Sequence, residues 1–214
     1  MGIQHWGAFG GFQGRAGALV GRWKDGKNII SAIPHPSQTP ATVAQVNQRA
    51  KFGMLVGFLR RMTGLIRVGF QNARDLGQTA FNAAFQENYY SAITGVAPNF
   101  TINYPGLMYS KGILSGAYNA TVLIDTAATV KLSWTAQLAT GIGSAMDMAT
   151  VVAYNPVKGQ FVMLANAAAR AALAYNLAVP PDFAGDDVHV WISMVRADGK
   201  MTSDSQYIGE FTIL

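Results

Sequence analysis

The stretch ATVVAYNPVKGQFVML, residues 149–164, decides the fold: an apolar run, a turn and a second apolar run. Ala149 to Tyr154 is short and β-branched, which suits a strand better than a helix. Asn155-Pro156-Val157-Lys158-Gly159 supplies turn residues, and Gln160 to Leu164 reads as the returning strand. Working outward, the punctuation recurs at Pro180-Pro181-Asp182 and Ala197-Asp198-Gly199-Lys200. Strands are also expected at Ala120 to Ile124, Val130 to Thr135, Ala171 to Val179, Val188 to Val195 and Tyr207 to Ile213. Short strands of this kind with turns between them predict an immunoglobulin- or fibronectin-like β-sandwich over 99–214, with Trp134 and Trp191 pointing inward.

Before Pro98 the period changes. Thr39-Pro40 offers a helix start, Thr as N-cap and Pro in the first turn. From there Val43, Val46, Ala50, Met54, Phe58, Met62, Leu65 and Ile66 recur at threes and fours. A break is expected near Thr63-Gly64. A second helix, roughly Thr79 to Ile93, carries Phe81, Phe85, Tyr89 and Ile93 four residues apart. The two predict a helical hairpin over 41–98, with Gly53 and Gly57, one turn apart, as points of close helix packing. Charged residues interrupt the apolar stretch, so no membrane span is expected.

Residues 1–40 read as a glycine-rich arm followed by a β-hairpin. Ala18 to Trp23 and Asn28 to Ile33 flank Lys24-Asp25-Gly26-Lys27, whose Asp-Gly centre favours a tight turn. Ahead of it, Gly7, Gly10, Gly11, Gly14 and Gly17 alternate with Trp6, Phe9 and Phe12. Glycine loses more conformational freedom on folding than any other residue, so such an arm needs something to hold it. The fold class is therefore α+β: N-terminal β-hairpin arm, helical hairpin, C-terminal β-sandwich.

Hydrophobic residues make up 50% of the chain and charged residues only 13%, about half the usual charged share. So little charge leaves apolar surface to bury between subunits. There is no cysteine, which excludes disulfides and thiolate metal sites. The N-terminus lacks a basic segment followed by an apolar one, so the expectation is synthesis in the cytoplasm without a signal peptide. Residues 1–100 hold ten Lys/Arg against three Asp/Glu, and residues 101–214 six against eight. A basic half and a mildly acidic half suit either nucleic acid or front-to-back contact between subunits.

The segments GAFGGFQGRAGALVGRWKDGKNIISAIP (7–34), QRAKFGMLVGFL (48–59), TAFNAAF (79–85) and GAYNATV (116–122) carry a resemblance, continued by PPDFAGDDVHVWISMVRADGK (180–200) and SDSQYIGEF (203–211). In this order they resemble a widespread family of Bacteroidota proteins, a domain of unknown function of similar length whose members begin with glycine–aromatic segments. The resemblance implies a bacterial or bacteriophage source and one inherited architecture. It implies no activity, cofactor or catalytic residue.

Chemical motifs are missing where they would be needed. Gly10-Gly11-Phe12-Gln13-Gly14 lacks the Lys-Ser/Thr of a phosphate loop. His5, His35 and His189 are far apart, and no pair is spaced to present metal ligands from one helix face. Asp182, Asp186 and Asp187 lack the alternation of a calcium loop and read as a solvated turn. Ser133 and Ser193 sit in strands without a nucleophile elbow. No catalytic, cofactor or metal residues are expected, and the chain reads as a non-enzyme.

The sequence thus points to a structural protein that self-assembles through its arm, with Trp6, Phe9, Phe12, Trp23, Gly53 and Gly57 at the assembly interface. Its partners would be other copies of itself and further virion or surface-assembly proteins. Its settings would be a bacteriophage particle (head decoration or fibre) or a bacterial surface filament. The alternative is a nucleic-acid-binding protein using the basic half, with Arg15, Arg22, Lys24 and Lys27 on phosphates and the neighbouring aromatics on bases. A third reading, a sugar-binding sandwich, would use Tyr118, Tyr154, Tyr175 and Trp191, residues that suit core filling better.

Overall fold

The structure is a computed structural model that describes residues 2–4, 10–24, 26–35, 39–136 and 141–214. It is mostly β, with three helices and several antiparallel sheets. The chain divides into two compact units, Met1–Val43 and Ala44–Leu214.

The N-terminal unit is one antiparallel sheet of β1 (Ile3–Gln4), β2 (Phe12–Ala16), β3 (Leu19–Lys24) and β4 (Lys27–Ala32), paired in that order. The expected hairpin is β3–β4, closing on Lys24 opposite Lys27, with Gly26 at φ +75°, where a tight turn favours glycine. The glycine-rich segment before it also forms a strand, β2, which the sequence reading missed. Its first half pairs with β1 and its second half with β3. The change of partner brings the Phe12 main chain across β3: a Cβ on Gly21 would lie 2.1 Å from the Phe12 carbonyl oxygen. Asn28 Nδ2 donates to that same oxygen at 2.9 Å.

The C-terminal unit opens with α1 (Val43–Arg60), which starts at the last residue of the N-terminal unit, followed by α2 (Thr63–Gly69) and α3 (Ala80–Ser91). The break falls where expected, with Thr63 Oγ1 donating to the Arg60 carbonyl at 2.7 Å. Thr79 caps α3 by accepting from the Asn82 amide at 3.2 Å. Two expectations for α1 are corrected. It begins at Val43 rather than at Thr39-Pro40, and its early apolar residues do not face a core. Val43 is 76% and Val46 52% exposed, while Leu55 and Leu59 are fully buried. The buried positions fall in the last turns of α1, at Leu55, Phe58 and Leu59, so the buried stripe starts late. Phe52 and Phe85 meet at 5.0 Å between ring centres, and the Tyr89 hydroxyl donates to Gln48 Oε1 at 2.7 Å, tying α1 to α3.

A short hairpin, β5 (Ile93–Val96) and β6 (Asn99–Ile102), leads into the main β region. There β7 (Tyr118–Thr126), β8 (Thr129–Thr135) and β11 (Ala174–Ala178) form one sheet in the order β11-β8-β7. The other sheet, β10-β9-β12-β13, holds β9 (Met148–Asn155), β10 (Gln160–Ala169), β12 (Asp187–Val195) and β13 (Gln206–Thr212). The 149–164 stretch is the β9–β10 pair, Tyr154 opposite Phe161.

Val130, Leu132 and Trp134 of β8 share one core with Val151 and Ala153 of β9 and with Val190 and Ile192 of β12. The alternate residues of β9 and β12 face the other way: Val152, Tyr154 and Trp191 pack with Leu55, Phe58, Leu59 and Ile66 in a second core. Trp134 thus lies between the sheets, whereas Trp191 lies beneath the helices. Strands buried on both faces lose the apolar–polar alternation that would tell their faces apart.

Candidate functional site

Antiparallel partners point their side chains to the same face, so register sorts the N-terminal sheet into two sides. One side carries Ala16, Leu19, Gly21, Trp23, Asn28, Ile30 and Ala32. The other carries Arg15, Val20, Arg22, Lys24, Lys27, Ile29 and Ser31. The apolar side leaves Leu19 44%, Trp23 41% and Ile30 52% exposed, and Gly21 is the sole buried position in this unit among the described residues.

The four cations named from the sequence share one face. Phe12 lies over the opposite side of the sheet, its ring close to Gly21, and Trp23 is on that side too. The bases-on-aromatics, phosphates-on-cations arrangement is therefore split between two faces. Trp6 and Phe9 lie outside the described residues. Gly53 and Gly57 are exposed on α1, and a Cβ on either would meet no atom within 4 Å. Among the described residues the close packing expected there is not found: both glycines look away from the face that buries Leu55 and Leu59.

The C-terminal unit has a cleft of about 680 Å³ between α2 and the four-stranded sheet. Met62, Leu65, Val68, Met148, Met163 and Val195 make it mainly apolar. On its floor the Tyr109 hydroxyl donates to the Thr150 carbonyl at 3.2 Å, and burial pushes that phenol up. Arg61 at the rim donates to the Gly159 carbonyl at 2.6 Å, and Arg196 is paired with Asp198. No carboxylate or histidine lines the cleft among the described residues.

His189 occupies a structural setting. Its ring stacks on Tyr104 at 3.9 Å between centres, Nδ1 lies 3.0 Å from the Tyr207 hydroxyl, and Nε2 lies 3.8 Å from Glu210. Burial holds its pKa below the ordinary 6.5, against the pull of Glu210 and Asp187. The acidic turn is likewise engaged: Lys158 reaches Asp182 at 3.1 Å and Asp186 at 3.7 Å, and Thr212 donates to Asp187 at 2.6 Å. Tyr154 and Trp191 are core residues, so the four aromatics considered for sugar binding do not form one surface. Among the described residues no group of three His, Asp or Glu side chains converges.

The sequence reading missed one buried ion pair. Arg170 and Asp147 meet at 3.2 Å, and Arg170 also donates to the Gly116 and Ser115 carbonyls at 2.8 and 2.6 Å. The pair ties the loop before β7 to the start of β9. Among the described residues Asp147 Oδ1 has no hydrogen-bond partner.

Residues 11–209, a span covering most of both units, match the model of a family of unknown function, DUF6266. The chain belongs to that family. No curated protein matches it in sequence. Among solved structures, the fibronectin type III domain of the human collagen alpha-1(XX) chain is similar over 47% of this chain and 85% of that one, at 17% identity and a TM-score of 0.36. No helix among the described residues of this DUF6266 member is long and apolar enough to cross a membrane.

Proposed function

We propose that this DUF6266 chain is a non-enzymatic structural protein that self-assembles through its N-terminal arm and sheet. In this reading the C-terminal half is an immunoglobulin/fibronectin-like sandwich that faces outward, and the assembly is a bacteriophage particle or a bacterial surface filament. One observation carries the reading: the apolar side of the N-terminal sheet leaves Leu19, Trp23 and Ile30 about half exposed. A small sheet needs a hydrophobic face packed against something to be stable. Finishing the burial of those three side chains contributes roughly 1 kcal/mol each, enough to favour a neighbouring copy as the cover. Trp23 and Ile30 have the size and chemistry of anchors at the centre of such a contact.

Light scattering coupled to size exclusion tests this. Full-length protein is expected to elute above the mass of one chain. Deleting residues 1–14, or introducing Leu19→Asp with Ile30→Asp, should return a folded species of single-chain mass. A full-length protein that stays monomeric at high concentration overturns the proposal.

A further inference from the structure

We infer that the cationic face of the N-terminal sheet binds nucleic acid through its sugar–phosphate backbone, without reading bases. Arg15, Arg22, Lys24 and Lys27 occupy one face by register, interleaved with Val20 and Ile29. None of the residues placed on that face is acidic, and the ion pairs among the described residues all lie in the C-terminal unit. Within this set, Arg15 Nε donates to the Gly17 carbonyl over a long 3.4 Å.

Lys24 and Lys27 are directly opposed across the hairpin. Like charges placed so repel one another, and the carboxylate between them in sequence, Asp25, lies outside the described residues. A phosphate set between the two ammonium groups would relieve that repulsion. From the Arg15 row to the Lys24–Lys27 row is four residues, about 14 Å of strand. Duplex DNA presents one phosphate charge per roughly 1.7 Å of axis, so four cations over that length all find partners.

The class of ligand follows from what the face lacks. Single-strand binders combine cations with aromatic platforms, but Trp23 lies on the opposite side of this sheet. Among the described residues, the cationic face carries groups that neutralise phosphates and no ring to stack a base. Binding should therefore be indifferent to sequence, similar for duplex and single strand, and steeply dependent on salt. The inference does not require self-assembly, since all four cations lie within one sheet.

The test uses the full-length chain and a fluorescently labelled 20-base-pair DNA duplex, titrated between 50 and 200 mM salt. Four phosphate contacts predict a slope of log affinity against log salt of about −3.6, a weakening of roughly 150-fold over that range. Arg22→Gln with Lys24→Gln should weaken binding and bring the slope to about −1.8. Arg15→Gln with Lys27→Gln should do the same, so loss of folding in one pair does not decide the outcome. Leu19→Asp, which tests assembly, should leave the slope per chain unchanged, so failure of the two readings is distinguishable. No duplex binding at 50 mM salt overturns the inference, as does binding that both double variants retain in full. A preference for single strands abolished by Trp23→Ala overturns the backbone-only mode, and binding to phosphatidylserine vesicles but not DNA reassigns the face to membranes.

Discussion

In the C-terminal unit, Val151, Val190 and Ile192 are fully buried between two sheets, and Leu55, Leu59 and Ile66 are fully buried beneath the helices. In the N-terminal unit the described residues bury Gly21 and leave Leu19, Trp23 and Ile30 about half exposed. Both units are antiparallel and carry apolar side chains, yet among the described residues one closes two cores and the other closes none. The difference lies in layers: a strand pair such as β9–β12 gains burial twice, once from each covering layer, whereas the described residues of the N-terminal sheet bury one glycine. The first arrangement is self-sufficient. The second leaves apolar side chains about half exposed, which makes it the place to test for partners.

The largest expected effect breaks the self-sufficient side of that comparison. Asp147→Ala leaves the Arg170 guanidinium buried without its carboxylate, and removing one partner of a buried pair costs about 3–5 kcal/mol. Chemical denaturation should show the main transition shifted by that amount. Ile30→Asp, in the uncovered sheet, should leave the main transition in place. Equal shifts from the two variants would mean that the units do not differ as the burial pattern implies.

The sequence reading reached the strands of the main β region because Asn-Pro-Val-Lys-Gly, Pro-Pro-Asp and Ala-Asp-Gly-Lys punctuate them. It did not reach which way Trp191 faces, since Val188 to Val195 is apolar on both sides and periodicity has nothing to separate. Nor did it place β2: Gly14 and Ala16 offer little β-propensity, and the strand's pairing is set by the β3 edge and by the close approach that Gly21 permits. The Arg170–Asp147 pair joins residues 23 apart through tertiary structure alone. The cations were legible as residues; their common face, and its separation from Trp23, came only with the register.

A smaller effect sharpens the comparison on α1. Gly53 and Gly57 sit on an exposed helix face with open space where a Cβ would go. Changing both to alanine should stabilise the chain by about 1 kcal/mol per site, because alanine restricts the unfolded helix segment and adds no clash. Thermal melting reads that gain directly. If the same double variant also lowers the assembled mass, the face belongs to the interface between copies; an unchanged mass confines the interface to the N-terminal unit.

The smallest expected effect is a pH dependence confined to the covered side. His189 is 6% exposed, and burial holds its pKa below 6.5. It therefore stays neutral in the fold at pH values where the unfolded chain already takes up a proton. The sign follows: above about pH 6.5 both states are neutral and His189 contributes no slope, whereas below it the unfolded state is favoured and stability falls until the folded pKa is passed. Melting temperatures between about pH 7 and 5 should decline, and His189→Gln should flatten that decline while lowering stability at pH 7 through lost stacking on Tyr104. A variant that keeps the full slope would place the responsible group elsewhere, and the aromatic cluster around His189 would then be a packing feature without a titrating member.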